Sequence, residues 1–425
     1  MFTINQITKT AIIMLLASVI LVPIAWNDAH AYGESNARAL GMGGSHTALA
    51  RNYHTLQYNP ANLGLLEGNH GVAVQMFSIG TQLKNNTFSY GDYNKYTGAY
   101  LTRDDKETIL SKIPAEGLTL KATAEGGATS FSTGHFAFSA TGYASSSVNL
   151  PKDPVELILY GNAYVPTLDL GTTRGEAWGV ADFGFGYGHT LRTWENGELA
   201  VGASFHYLKG IIYEKIIHAE GYAETGDTAI MADGNMIVRS ATGGSGYSFD
   251  IGMATRFNTD YVFSFAILNF VNKLRWNNEP ELTTYTFEMK PLNSNSIDED
   301  SLTVSNDTTV ATESFGQKKP AIVKLGLSST YSGILWAVDW EQGFSNTAAS
   351  SANPRISGGL EYRALSWLPV RTGLSFGGLI GGYAAIGFGL DLGPYNFDFA
   401  LANQGSILPS GAKGLLFSLS SDFRF

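Results

Sequence analysis

One stretch of the chain has the spacing of a nucleophile: GLSFG, Gly373–Gly377, a G-x-S-x-G pattern with Ser375 at its centre. Such a serine attacks a carbonyl only when a sharp strand-to-helix turn exposes its hydroxyl and a base reaches it. Ser375 instead lies in VRTGLSFGG, an alternating run followed by more of the same, which makes it a small residue on a strand face. His135, His189 and His206 also fall in strand-like stretches, and none has a serine and a third partner evident in sequence. The glycine run GFGYG (Gly184–Gly188) lacks the strand–helix crossover of a phosphate loop. No histidine or carboxylate pair has zinc spacing, and the acidic triplet Asp298-Glu299-Asp300 matches no defined calcium loop. The expectation is a protein without catalytic residues, metal or cofactor.

The elements that carry these residues alternate with period two. In YSFDIGMATRF, Tyr247, Phe249, Ile251, Met253 and Phe257 oppose Ser248, Asp250 and Arg256. ELAVGASFHYL sets Leu199, Val201, Phe205 and Tyr207 against Gly202, Ser204 and His206. RISGGLEYRAL and YNFDFAL repeat the pattern, with short turn signals such as Asn196-Gly197 and Gly393-Pro394 between runs. A half-buried sandwich sheet alternates too. Here the polar face is rich in Gly and Ser rather than in long charges. The runs are about ten residues long with Trp178, Trp336, Trp340 and Trp367 near their boundaries, the pattern of an outer-membrane barrel with aromatic girdles. The predicted fold is all-β, a transmembrane antiparallel barrel of about fourteen strands. Two interruptions stand out: Asn277–Lys319, read as a long external loop, and Tyr90–Pro114, read as an excursion with one short helix begun by a Thr102/Asp105 capping box.

Composition agrees. Charged residues make up 15% of the 425-residue chain, well under the ~25% of soluble domains. The formal charge of −10 argues against nucleic acid as a partner. Cysteine is absent, which excludes disulfides, thiolate metal sites and a lipoprotein anchor. Lys9, the apolar run Ala11–Ala25 and the A-x-A site Ala29-His30-Ala31 predict a secretory signal (1–31) cut after Ala31, with an uncleaved anchor as the alternative. Export and a barrel together place the protein in the outer membrane, with membrane lipid and the barrel-assembly machinery as partners.

Residues 32–69 do not alternate and precede the barrel proper, 70–425. They hold a glycine-rich turn, a helix-like piece at Ser45–Arg51 and the motif Asn59-Pro60-Ala61. Proline fixes its own φ and pushes Asn59 out of the helical region, so the motif is a rigid bend. It serves either as an ordinary turn into the first strand, Gly71–Gly80, or as part of a plug within the lumen. The stretch ARALGMGGSHTALA…YNPANLGLL resembles the opening of the long-chain fatty-acid transporter superfamily of outer-membrane barrels. NTFSYGDYNKY, LTRDDKETILSKIP, LPKDPVELILYGN and GASFHYLKG are similar to a domain-of-unknown-function branch found in Bacteroidota. The resemblance implies a fourteen-stranded barrel whose amino-terminal plug, with Asn59, Pro60 and Ala61 as its bend, gates passage of hydrophobic molecules. Related barrels act instead as shuttles for secreted proteins. The sequence departs from the superfamily at Asn62, where a glycine is usual.

Inside such a barrel, strand parity places Asp250, Arg256, Lys324, Glu361, Arg363, Asp391, Asp398, Asp422 and Arg424 toward the lumen. They either brace a narrow wall or contact a ligand. The terminal run GLLFSLSSDFRF sends Leu415, Phe417, Leu419, Phe423 and Phe425 outward, and Phe423 with Phe425 forms the expected assembly signal. Two functions follow: passage of a small hydrophobic ligand, or an interaction barrel that shuttles a secreted-protein partner.

Overall fold

Apolar and small polar residues that alternate over ten or more positions can bury neither face alone, and here they resolve the conflict by closing on themselves. The structure, a computed structural model, describes residues 35–68, 71–161, 167–225, 230–258, 260–292, 303–317, 319, 321–344, 352–378 and 381–425. The expected signal segment and the acidic triplet 298–300 lie outside the described residues.

Before the first strand the described residues hold two short α-helices, α1 (Ala37–Gly41) and α2 (Thr55–Tyr58), and two 3-10 turns, Asn52–His54 and Pro60–Gly64. The first strands are β1 (Val72–Asn85), β2 (Leu118–Gly127) with its continuation β3 (Phe131–Thr133), β4 (Phe136–Leu150) and the fragment β5 (Thr167–Asp169). Then follow β6 (Arg174–Trp194), β7 (Gly197–Thr225), β8 (Ile230–Ala241), β9 (Gly243–Phe257) and β10 (Tyr261–Asn278). Next are β11 (Glu281–Leu292), β12 (Thr303–Ala311), β13 (Phe315–Gln317), β14 (Ile322–Tyr331) and β15 (Ile334–Gly343). The series ends with β16 (Arg355–Leu365), β17 (Leu368–Gly377), β18 (Tyr383–Leu392), β19 (Tyr395–Gln404) and β20 (Gly414–Arg424).

Fourteen staves make the barrel among the described residues: β1, β2/β3, β4, β6, β7, β9, β10, β13/β14 and β15 to β20. Each is antiparallel to its neighbours. The last stave closes on the first, with Leu419 opposite Ile79 and Phe423 opposite Val74. Closure leaves no strand edge of the barrel wall unpaired, which a membrane requires. No described helix is long and apolar enough to cross a membrane. The outward residues of the staves form a continuous exposed apolar surface far beyond a soluble monomer's largest patch, with Ile386 and Phe376 among the most exposed. On β9 the band runs from Tyr247 to Phe257, about 34 Å along the strand. At the usual tilt that is about 25 Å of membrane. Phe257 stacks on Tyr261 at 5.4 Å, and Tyr395, Phe423 and Phe425 continue the aromatic girdle at the rim of short turns.

Three expectations change. Asn277–Lys319 is not simply a loop: β7 runs past the barrel to pair with β8, β8 with β11 and β11 with β12. These strands form a sheet standing beyond the long-loop rim, flanked on β7 by the short β5. Threonine-rich segments such as Thr303–Ala311 alternate too weakly to read as strands, yet they only need a paired neighbour. The Tyr90–Pro114 excursion holds two helices, α3 (Tyr90–Tyr96) and α4 (Arg103–Lys112), with capping boxes at Ser89/Asp92 and Thr102/Asp105. A further helix, α5 (Lys152–Tyr160), follows β4. Trp178 is not in a girdle. It shares parity with Val180 and Asp182 and points inward, 2% exposed.

Candidate functional site

The barrel interior is where the amino-terminal segment and the inward charges meet. Residues 35–65 are buried almost throughout. Asn36 caps α1 by accepting from the Ala39 N–H at 3.1 Å, and Gly43 (φ 69°) and Gly44 (φ 87°) end it. The expected helix at Ser45–Arg51 is instead a turn: Asp339 Oδ2 accepts the His46 and Thr47 N–H groups at 2.8 and 2.7 Å, the Ala50 N–H donates to the His46 carbonyl, and the Thr47 and Ala50 carbonyls turn away to the Asn62 amide. After α2, Asn59 is extended (φ −159°), and its Oδ1 accepts from the Ala61 N–H at 3.0 Å while its Nδ2 donates to the Met253 carbonyl at 3.0 Å. Asn62, in place of the usual glycine, donates to the Thr47 and Ala50 carbonyls and accepts from Ser264 Oγ at 2.8 Å. One side chain thus ties two turns of the segment to β10.

The seat for this segment is a set of inward glycines. A Cβ on Gly188, Gly202, Gly359 or Gly373 would collide with the backbone of Leu63–Gly64, Pro60–Ala61, Met42 and Met42–Gly43 respectively. Gly326 lies against Thr47–Ala48, and Gly252 against the Asn59 side chain. The glycine-rich polar face visible in sequence is therefore a surface of close backbone approach.

Charged side chains lock the seat at several staves. Glu361 accepts from Arg38 Nε at 2.8 Å and from Arg371 Nε at 2.7 Å, and Arg371 reaches on to Asp398 at 2.5 Å. Asp422 accepts from Tyr53 Oη at 3.1 Å and pairs with Arg424. Arg256 pairs with Glu198 at 3.1 Å and with Glu67, while Glu198 also accepts the Leu66 N–H. Lys324 and Arg355 share Glu341, and Lys324 lies 5.0 Å above the Tyr58 ring. Glu125 accepts from Ser35 and Gln57. Arg363 and Asp391 pair with each other near the short-turn rim. Burial, with Arg38 nearby, holds His46 well below the usual imidazole value. Burial also lowers His54 to about 4, against the opposing pull of Asp422 3.9 Å away. Both are neutral at neutral pH.

Asp250 belongs to a second cluster, nearer the long-loop rim. His206 Nδ1 meets Asp182 at 2.7 Å and Nε2 meets Asp250 at 2.9 Å; Lys319 joins Asp182 at 3.2 Å, and the Asn269 N–H donates to Asp250 at 2.6 Å. Ser204 Oγ lies 3.1 Å from Nε2, so serine, histidine and aspartate stand together as in a hydrolase. The geometry is wrong for one. With a carboxylate on each ring nitrogen, His206 donates both ways and has no lone pair to take a proton from Ser204. Ser375, buried inside β17 between Ser357 and Tyr383, lacks the strained turn of a nucleophile elbow. Beyond the cluster, Tyr143, Trp178, Leu208, Leu274 and Trp276 pack as an interior aromatic wall with Tyr213 and Phe315.

Sequence parity singled out one member of most of these pairs and missed the partner. Arg371 and Asp339 share parity with Ser375 and Glu341, so alternation could have found them. Arg38, Tyr53 and Asn62 lie outside the strands, where no periodicity assigns a direction.

A family model described as "Family of unknown function (DUF5723)" matches residues 60–403. No curated protein matches the chain. Among solved structures, the Ralstonia pickettii toluene transporter TbuX is 15% identical with a TM-score of 0.51, over 92% of this chain and 98% of its own. The P. putida toluene transporter TodX is 12% identical with a TM-score of 0.52, covering 93% and 99%. The CymD monoaromatic hydrocarbon channel is 12% identical with a TM-score of 0.52, over the same shares. At such identities the likeness is one of fold, and at that level it meets the resemblance read from the amino-terminal residues.

Proposed function

We propose that the chain, which belongs to the DUF5723 family of unknown function, is an outer-membrane channel for passive passage of small hydrophobic molecules, with residues 35–65 as its plug. The observation that carries this reading is the buried segment itself. It is seated by backbone approach to inward glycines and by hydrogen bonds that can be exchanged, inside a barrel folded like transporters of toluene and monoaromatic hydrocarbons. The long-loop rim faces outside. A ligand entering there passes the aromatic wall of Trp178, Leu274 and Trp276 and reaches the plug, whose bend at Asn59–Ala61 yields to open a path. No turnover chemistry is involved.

The test is uptake of labelled toluene and medium-chain alkanes by cells lacking hydrocarbon carriers and expressing the full chain. Asn62→Ala, which frees two turns of the plug from each other, should raise uptake above the unsubstituted protein. Background uptake by both, with heat-modifiable barrels present in the outer membrane, would reject the channel.

A second reading, an interaction barrel that holds a secreted protein, is favoured by the sheet beyond the rim and by Tyr93 and Tyr100 on the excursion, the latter 95% exposed. It predicts a protein partner captured by the full chain and released by changing both tyrosines to serine.

A further inference from the structure

The outward face of β7, β9 and β10 carries a chemistry that neither channel nor plug uses. Its cross-strand rows can be followed from the short-turn rim upward. Phe257 stands opposite Tyr261; then come Leu199, Thr255 and Phe263, then Val201, Met253 and Phe265, then Ala203, Ile251 and Ile267, then Phe205, Phe249 and Val271. All are neutral, as lipid requires. The next row is Tyr207, Tyr247 and Lys273, and the one above it is Lys209, Ser245 and Arg275. Three exposed cations therefore sit at the top of the apolar band, pointing outward. None of the three has an ion pair among the described residues; Arg275 Nε donates to Ser314 Oγ at 2.9 Å. Lys209 and Arg275 are two strands apart, about 10 Å, and Lys273 is about 7 Å below. Long side chains at that spacing converge on one headgroup.

We infer that Lys209, Lys273 and Arg275 form a binding site for the phosphorylated headgroup of an outer-leaflet lipid, whose acyl chains run down over Phe205, Phe249 and Ile251. The site commits to a lipid rather than a free anion because the cations continue directly into the apolar rows that acyl chains need. In a chain of formal charge −10, an unpaired basic triad facing the membrane is complementary to one kind of neighbour, an anionic lipid. The inference rests on the outer-membrane reading with the long-loop rim outside, and not on transport.

The test is native mass spectrometry of the full chain, purified in non-ionic detergent and mixed with bisphosphorylated lipid A, with its dephosphorylated form, or with inorganic phosphate. Heat-modifiable mobility, measured first, reports the membrane barrel separately. The bisphosphorylated lipid should be retained preferentially. The triple variant Lys209→Gln, Lys273→Gln, Arg275→Gln should lower its affinity roughly 100-fold, and each single change about fivefold. Lys413→Gln, on a loop, should change nothing. The single variants carry the test should the triple one assemble poorly. Equal retention by wild type and variants overturns the site, as does equal binding of the dephosphorylated lipid. Displacement of the lipid by inorganic phosphate would show a free-anion site, and dimerisation through this face without lipid would show a protein contact; either overturns it.

Discussion

Gly373→Ala adds a single methyl group and should unseat the amino-terminal segment while leaving the barrel intact. The new Cβ would stand 2.1 Å from Gly43 N and 2.3 Å from the Met42 carbonyl carbon, both backbone atoms that no rotamer change can move aside. Overpacking of this kind costs about 1–3 kcal/mol. At 1.4 kcal/mol per factor of ten, the ratio of unseated to seated segment rises about 5- to 150-fold. The chain has no cysteine, so Ser45→Cys, buried two residues from Gly43, gives a unique thiol reporter. Maleimide labelling of folded protein in detergent then measures the unseated fraction. Gly358→Ala is the control: it neighbours Gly359, and its Cβ would meet nothing closer than the Ala337 carbonyl at 3.8 Å. Labelling should rise in the Gly373 variant and stay level in the control. An unchanged rate in a heat-modifiable Gly373→Ala protein would mean the segment does not rest on that stave, and the glycine-seat argument would fail.

Other perturbations follow from the same interior. Glu361→Gln leaves Arg371 and Arg38 short of their shared carboxylate and should cost about 3–5 kcal/mol, seen as a lowered thermal midpoint in detergent. Asp391→Asn, at the half-exposed Arg363 pair, should cost under ~1 kcal/mol. Because burial lowers the His54 pKa from 6.5 to about 4, the neutral form is favoured in the seated state. The contribution of His54 to seating is therefore fully present above pH ~6.5 and is lost progressively as pH falls toward 4, about 3 kcal/mol in all. Hydrogen exchange in residues 35–65, corrected for intrinsic rate, should accelerate across that window and flatten in His46→Asn/His54→Asn; a flat wild-type profile would contradict the burial argument. Deleting Phe425 removes the paired bonds between its backbone and Val72 and its stack on Phe423. The heat-modifiable fraction should fall more than the uptake per assembled barrel.

The barrel was legible because each stave speaks in its own residues. Ile356, Leu360 and Tyr362 against Ser357 and Glu361 fix both direction and face without any tertiary knowledge. The strands beyond the rim were not, because β12 is exposed on both sides and needs only a neighbour, which local sequence does not name. The interior failed differently. Glu361 was visible as an inward carboxylate, but its partner Arg38 lies 323 residues away in a segment with no period. Gly373 carries no signal of its role as a seat, since an absent side chain gives no sign of what approaches it. Ser204, His206 and Asp182 come together only through the stagger of two strands, and that same stagger brings Asp250 to disarm them.

The segment's position carries a consequence for how the molecule is made. It precedes every stave, yet it touches staves from both ends: Glu125 on β2 and Asp422 on β20. Joining residue 73 to residue 424 across a slack chain costs about 5 kcal/mol of loop-closure entropy. Once Tyr53 has bound Asp422, 369 residues apart, that contact carries the ~5 kcal/mol, and only about twenty residues remain for the seam, at about 3 kcal/mol. The segment then works as a mandrel. A wall wound around it would meet at its seam with both lips held to the same core.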